Sequence, residues 1–481
     1  MMASTLAMSF FCLVLALFLY YFRDLRRVLQ TWKFLLKGRA IMLEHTQKNP
    51  RKPFSLAIPG NLLHVTCSEE HWNDLNKAPT SQLSPNAASR EMFQPKYTFG
   101  FDWAAPREHV SLATVRSIRN MTQQLPSFQK RFVAILDDEF NKALSKSPQI
   151  EGWARVTFWT TVRRAVTRIN SLIFLGEDIA DDEDFITRGL SFVDQTSVIL
   201  ESVRLVPSFL APLVTKLIKG RGRDSEYVFR IMRALVAKRE SYKATTSESS
   251  LKKPNTILEG IIDYCQDDRS TQQNVDTIIT TWVISTLAIP VVACQLLQVL
   301  YTQTDHFEPL RKECQSVPLH DSGRSQYISD EMEKLQLLEA FTMESWRTRC
   351  FQSNTVHRVA MKPFQFSDGY KVNAGEAVEF HQNGLMNDES LYPNPIEFDP
   401  SRFINKNKSL VDTGLEWPFW GVPRLICPGR WHVSNVQKLL AVYMMQNFEA
   451  KLESTKNLNF EWRDAPVPNQ KNILLLKRRT K

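Results

Sequence analysis

Along most of the chain, apolar positions recur three and four residues apart, the spacing of one buried face of a helix. "QKRFVAILDDEFNKAL" (129–144) and "RIMRALVAKRESYKA" (230–244) are examples, and polar or Pro-rich loops such as "TTSESSLKKPN" (245–255) separate such segments. Strand-like runs are short and gather towards the two ends. They are "FSLAIPG" and "LLHVTC" early, "VHRVAM", "FQFSDGYKV" and "EAVEFH" later, and "NILLLKR" last. The Asp-Gly step in "FSDGYKV" lies between alternating residues and predicts a hairpin. The pattern predicts a mainly α protein with small antiparallel β-sheets and no internal repeat.

Two segments depart from this amphipathic pattern. From Ala3 to Phe22 the chain runs 20 residues without a charge, and Arg23, Arg26, Arg27, Lys33 and Lys37 follow at once. That length suits a bilayer-crossing helix. A cleaved signal peptide is the alternative, but no basic residue precedes the run and no A-x-A-like site follows it. The positive flank directs the remaining chain to the cytosolic side. We therefore expect a single-pass membrane anchor over residues 1–27 and one body over 28–481, in which the sequons at Asn120 and Asn407 stay unmodified. The second segment is Thr277–Thr304, 28 residues without a charge. It is either another span or a helix through a large core. Ser285, Thr286, Pro290, Gln295 and Gln298 dilute it, which favours the core helix.

Composition changes the picture little. The 481 residues are 43% hydrophobic and 23% charged, ordinary for a globular protein. The net charge of +9 is dispersed, with no basic block interleaved with aromatics, so nucleic acid is not the expected partner. A basic surface suits membrane lipid or an acidic protein. The seven cysteines are odd in number and scattered, which argues against a disulfide scaffold.

Three separated pieces carry candidate chemistry. The first is "ESWR": Glu344 and Arg347 continue the helical stripe of Leu335, Leu338 and Phe341, and three residues apart they can touch. On a buried face they must pair. The second is "FDPSRF" (398–403), which puts Arg402 in a loop able to join that pair. The third is "PFWGVPRLICPGRWH" (418–432), a loop stiffened by prolines that holds Cys427 just before a helical segment. Backbone N–H groups at such a helix start favour a thiolate. Cys427 is then either a small buried hydrophobe or an anionic metal ligand, and the loop alone leaves both open.

In this order the three pieces resemble the cytochrome P450 family, and the likeness runs from the apolar N-terminus to the strand-forming tail. "KAPTSQLSPNAASREMFQPKYTFG" and "CPGR" look most like fungal microsomal members of natural-product pathways. The resemblance implies haem b as cofactor, with Cys427 as axial ligand to the iron. Glu344, Arg347 and Arg402 would hold the core behind it, Arg358 and Arg424 would meet haem propionates, and Trp420 would lie over the thiolate. Family members usually carry Phe seven residues before the Cys, Gly four before and a base two before. Here those positions hold Trp420, Pro423 and Leu425.

The central helix departs further. The family places an acid or amide and then a Thr over bound dioxygen; the corresponding stretch here is "LAIPVVA" (287–293). Val291 and Val292 cannot relay a proton. Pro290 removes a helix N–H and leaves the Thr286 carbonyl without its partner, a gap that a hydroxyl or a water could fill. Thr286, Ala288, Pro290 and Val291 are thus the expected residues over the reacting centre, with Thr355 and Val356 at the pocket wall. A Pro at this place is similar to the branch containing prostacyclin synthase and the sterol 7α- and 12α-hydroxylases.

The resemblance implies an endoplasmic-reticulum monooxygenase that takes electrons from NADPH-cytochrome P450 reductase and oxidises a hydrophobic small molecule, such as a terpenoid or polyketide. The alternative is a haem-thiolate isomerase, dehydratase or ring-forming enzyme needing neither dioxygen nor NADPH. A third possibility is a non-catalytic haem or lipid carrier.

Overall fold

The computed structural model describes residues 25–102, 108–246, 254–264, 270–320, 325–404 and 408–479. The expected anchor, Asn407, and part of the polar loop 245–255 lie outside these residues.

The helices that position the site are α1 (Leu25–Lys48), α2 (Glu69–Lys77), α3 (Pro85–Phe93), α4 (Glu108–Lys146), α5 (Phe158–Leu175), α6 (Thr271–Leu300), α7 (Gln336–Arg349) and α8 (Arg430–Asn447). The main hydrophobic core joins α4, α5, α6 and α8, with Phe132, Val166, Trp282 and Leu440 among its buried members. α6 starts on a capping box: the Ser270 hydroxyl accepts from the Gln273 N–H, and the Gln273 side chain accepts from the Ser270 N–H. Two donors that the first helical turn leaves orphaned are thereby satisfied. α6 is long and apolar enough to cross a membrane, yet most of it is buried inside the protein. It is the core helix.

The strands are β1 (Phe54–Ile58), β2 (Asn61–Thr66), β3 (Leu83–Ser84), β4 (Gln149–Ile150), β5 (Trp153–Thr157), β6 (Thr355–Ala360), β7 (Phe364–Gln365), β8 (Lys371–Val372), β9 (Ala377–Phe380), β10 (Phe448–Leu452), β11 (Asn459–Trp462), β12 (Ala465–Pro468) and β13 (Ile473–Arg478). They form a five-stranded sheet in the order β1-β2-β9-β6-β3, a four-stranded sheet β10-β13-β5-β4, and two hairpins. The expected hairpin around Asp368-Gly369 is β7–β8. The large sheet is not wholly antiparallel, because β2 and β9 run parallel, Leu63 opposite Ala377 and Thr66 opposite Phe380. A parallel pair needs a long crossover between its strands. Here some 310 residues intervene, so no local pattern announces the pairing.

Candidate functional site

Between α6 and the Cys loop lies a cavity of about 550 Å³, within the roughly 300–1,000 Å³ range of small-molecule sites. Its walls come from Ile284, Leu287 and Ala288 of α6, Met92 and Phe93 of α3, the start of β6, and the loop from Phe419 to Pro428.

The loop is built to present its sulfur. Pro418–Trp420 and Pro423–Leu425 are short 3-10 turns, and the Cys427 N–H donates to the Trp420 carbonyl at 2.8 Å. Gly421 between the turns has φ +89, and a Cβ there would sit 2.8 Å from the Leu425 carbonyl oxygen. Both the conformation and the space exclude a larger residue. Among the described cysteines, four are buried and only Cys427 is exposed, opening into the cavity. The dense loop around it pushes the thiol pKa up, while the Gly429 and Arg430 amides and the Arg430 charge pull it down. An opposing charge inside the cavity, such as a metal, would favour the thiolate over that enclosure.

Trp420 lines the same wall, its indole N–H bonded to the Leu410 carbonyl and its ring 5.0 Å from that of Trp346. Behind the loop, the Arg347 guanidinium clamps the Glu344 carboxylate through Nε and Nη2, each at 2.7 Å, with both side chains wholly buried. The remaining Arg347 donors reach the Met386 and Pro395 carbonyls at 2.8 Å and that of Glu397 at 3.1 Å. Arg402 approaches Glu344 at 3.7 Å without a hydrogen bond from its Nε. The Asp399 N–H at 2.9 Å takes that place on the carboxylate.

Arg358 also lines the cavity. It is buried, and its one described hydrogen bond is to the His357 carbonyl at 2.8 Å. Burial with no carboxylate beside it holds its pKa down at about 10. A cation in that state calls for an anion. Thr355 and Val356 line the wall next to it.

Four expected site residues are placed elsewhere. Arg424 does not line the cavity: its N–H donates to Asn76 Oδ1 at 3.0 Å and its side chain reaches the Lys77 carbonyl, docking the loop onto α2. The 3-10 turn begun by Pro423 swings it outward and gives the cavity Leu425 instead. Thr286 is buried on the far side of α6, since two residues beyond Ile284 mean a rotation of about 200°. It lies one turn from Trp282, whose indole bonds Ser171 of α5. Among the described residues its hydroxyl has no hydrogen-bond partner. Pro290 is buried and Val291 half-buried, and neither lines the cavity; Ala288 alone of the four expected on α6 does.

Sequence reasoning missed Ile284, Leu287, Met92, Phe93, Gln352 and His357 in this lining. For α6 a signal existed, because Ile284, Leu287 and Ala288 share one helical face. Met92 and Phe93 arrive from a distant segment and carried none.

An open sulfur on one wall, an enclosed unpaired guanidinium at the edge and apolar residues opposite fit an iron porphyrin. Cys427 would ligate the metal and Arg358 would take a propionate. Comparisons agree with that fit. The family model described as Cytochrome P450 matches residues 106–476. The chain is 23% identical to the cytochrome P450 monooxygenase paxP of Penicillium paxilli over 86% of this chain and 81% of that one. It is likewise 23% identical to AtmP of Aspergillus flavus, over 86% and 80%. A solved structure titled retinoic acid bound cyanobacterial CYP120A1 superposes with a TM-score of 0.70 at 17% identity, covering 94% of this chain and 96% of that one.

Proposed function

The chain belongs to the cytochrome P450 family, and on that premise we propose that it is a membrane-anchored haem-thiolate monooxygenase oxidising a hydrophobic small molecule of fungal secondary metabolism. Bound haem b supplies the activation of dioxygen at iron, with electrons from NADPH-cytochrome P450 reductase. The observation that carries this reading is Cys427, the one open thiol among the described residues, facing an apolar cavity with Arg358 at its edge and no carboxylate partner among those residues.

Ile284, Leu287 and Ala288 form the ceiling, exclude water and favour an apolar ligand. Phe93 and Met92 narrow the cavity from the side. The ceiling offers no side-chain proton donor, so protons are expected to travel on ordered water. The relatives reported above are all named monooxygenases, and the isomerase alternative gains no support from them. A membrane anchor over residues 1–27 is supported by α1, whose exposed Leu29, Trp32 and Leu36 lie beside Lys33 and Lys37 just beyond the charged end of the apolar run.

The test is spectral and then kinetic. The reduced chain with carbon monoxide should show the family's shifted Soret band, and Cys427→Ala should abolish it. Product formation should require NADPH, reductase and dioxygen together; turnover without them would overturn the monooxygenase reading.

A further inference from the structure

Four consecutive residues, Thr355 to Arg358, line the cavity. Successive side chains of a strand ordinarily point to opposite faces. Here the register of β6 against β9 shifts between Thr355 and Arg358, and Val356 sits at φ +54, an outlier for a β-branched residue. Across this irregularity His357 and Arg358 both line the cavity.

His357 is supported from behind. Its Nδ1 lies 2.7 Å from Glu379 Oε1, and Asn354 donates to the other Glu379 oxygen at 2.8 Å. With Nδ1 committed to the carboxylate, Nε2 is the ring atom on the cavity side, 3.3 Å from the Gln352 side-chain amide, which accepts from a protonated ring only with its oxygen turned to Nε2. Among the described residues the cavity lining contains two basic side chains, His357 and Arg358, and no acid. They are adjacent in sequence and joined by the Arg358 bond to the His357 carbonyl. Burial opposes charge on the ring, but the Glu379 carboxylate outweighs it and raises His357.

We infer that His357, held on Glu379, is a second cofactor-binding cation that shares the two haem propionates with Arg358. This rests on the haem-protein reading above and assigns to it a residue that the sequence motifs did not single out. Among the described residues, Leu425 lines the cavity where the family usually has a base, and His357 is the basic side chain that lines it beside Arg358.

The experiment follows haem transfer from the holoprotein to excess apomyoglobin, for wild type and His357→Gln, each loaded with haem or with its propionate dimethyl ester. Expected is a several-fold faster loss of haem from His357→Gln, with the difference abolished by the ester and retention regained in His357→Lys. Equal loss rates, or the same acceleration with the ester, would overturn the inference while leaving the family reading intact. An effect of His357→Gln on substrate-induced spectral shifts but not on haem loss would assign the cation to a substrate carboxylate and overturn it too. A wild-type chain that takes up no haem would overturn the haem-protein reading first.

Discussion

Glu344 and Arg347 show why paired charges are kept where no water reaches. Each satisfies the other twice, and the spare Arg347 donors end on three backbone carbonyls. Removing either partner strands the other, at about 3–5 kcal/mol. Glu344→Ala should therefore lose most of its folded, haem-loaded fraction, read from the ratio of Soret to protein absorbance; a well-loaded variant would remove the pair from the core. His357 makes a smaller, pH-dependent contribution. Glu379 and Asp464 face it and favour its charge, and Arg358 opposes it. An unfolded ring titrates near 6.5, roughly, and the folded one higher. The stabilisation is thus complete below the unfolded value and is lost as the pH rises through the folded one. The melting-temperature gap between wild type and His357→Gln should shrink steadily from pH 6 to pH 9.

Among the elements, α6 is the most instructive. It runs from Thr271 to Leu300 as one helix with Pro290 inside, so the helix survives a residue that removes a donor and crowds the preceding turn. Interior prolines cost about 3 kcal/mol or more in ordinary helices, and Pro290 does not touch the cavity. Pro290→Ala should raise the denaturation midpoint by a free energy of up to about 3 kcal/mol and leave haem content unchanged. The helix was legible in the sequence as an uncharged run, but its facing was not. The carbonyl freed by Pro290 pointed to Thr286, whereas the 100° step per residue turns that hydroxyl to the back. Cys427 was singled out by its proline- and glycine-stiffened loop, which alone left a buried thiol and a metal ligand both open. Arg424 was misplaced because a single 3-10 turn, set by Pro423, exchanges it with Leu425. β4, with two residues, is too short to stand out before it pairs, whereas β5 and β10 alternate over five residues and were overlooked.

At the scale of the whole molecule, the helical body and both ends of strand-forming sequence were readable, as was their order. The pairing between the ends was not, because β2 meets β9 across most of the chain. α1, with Leu29 55%, Trp32 44% and Leu36 57% exposed, lies at the start of the described body. If the preceding apolar run spans a bilayer, alkaline carbonate should leave the protein in the microsomal pellet, and release into the wash would remove the anchor. The mixed sheet has a temporal consequence. During synthesis β1, β2 and β3 leave the ribosome early, but β6 and β9 follow only after residue 380 has been made. For most of translation the growing polypeptide carries unsatisfied strand edges, which are sites of aberrant association. Chaperone supply and elongation speed, more than final stability, should govern how much soluble product a heterologous host yields.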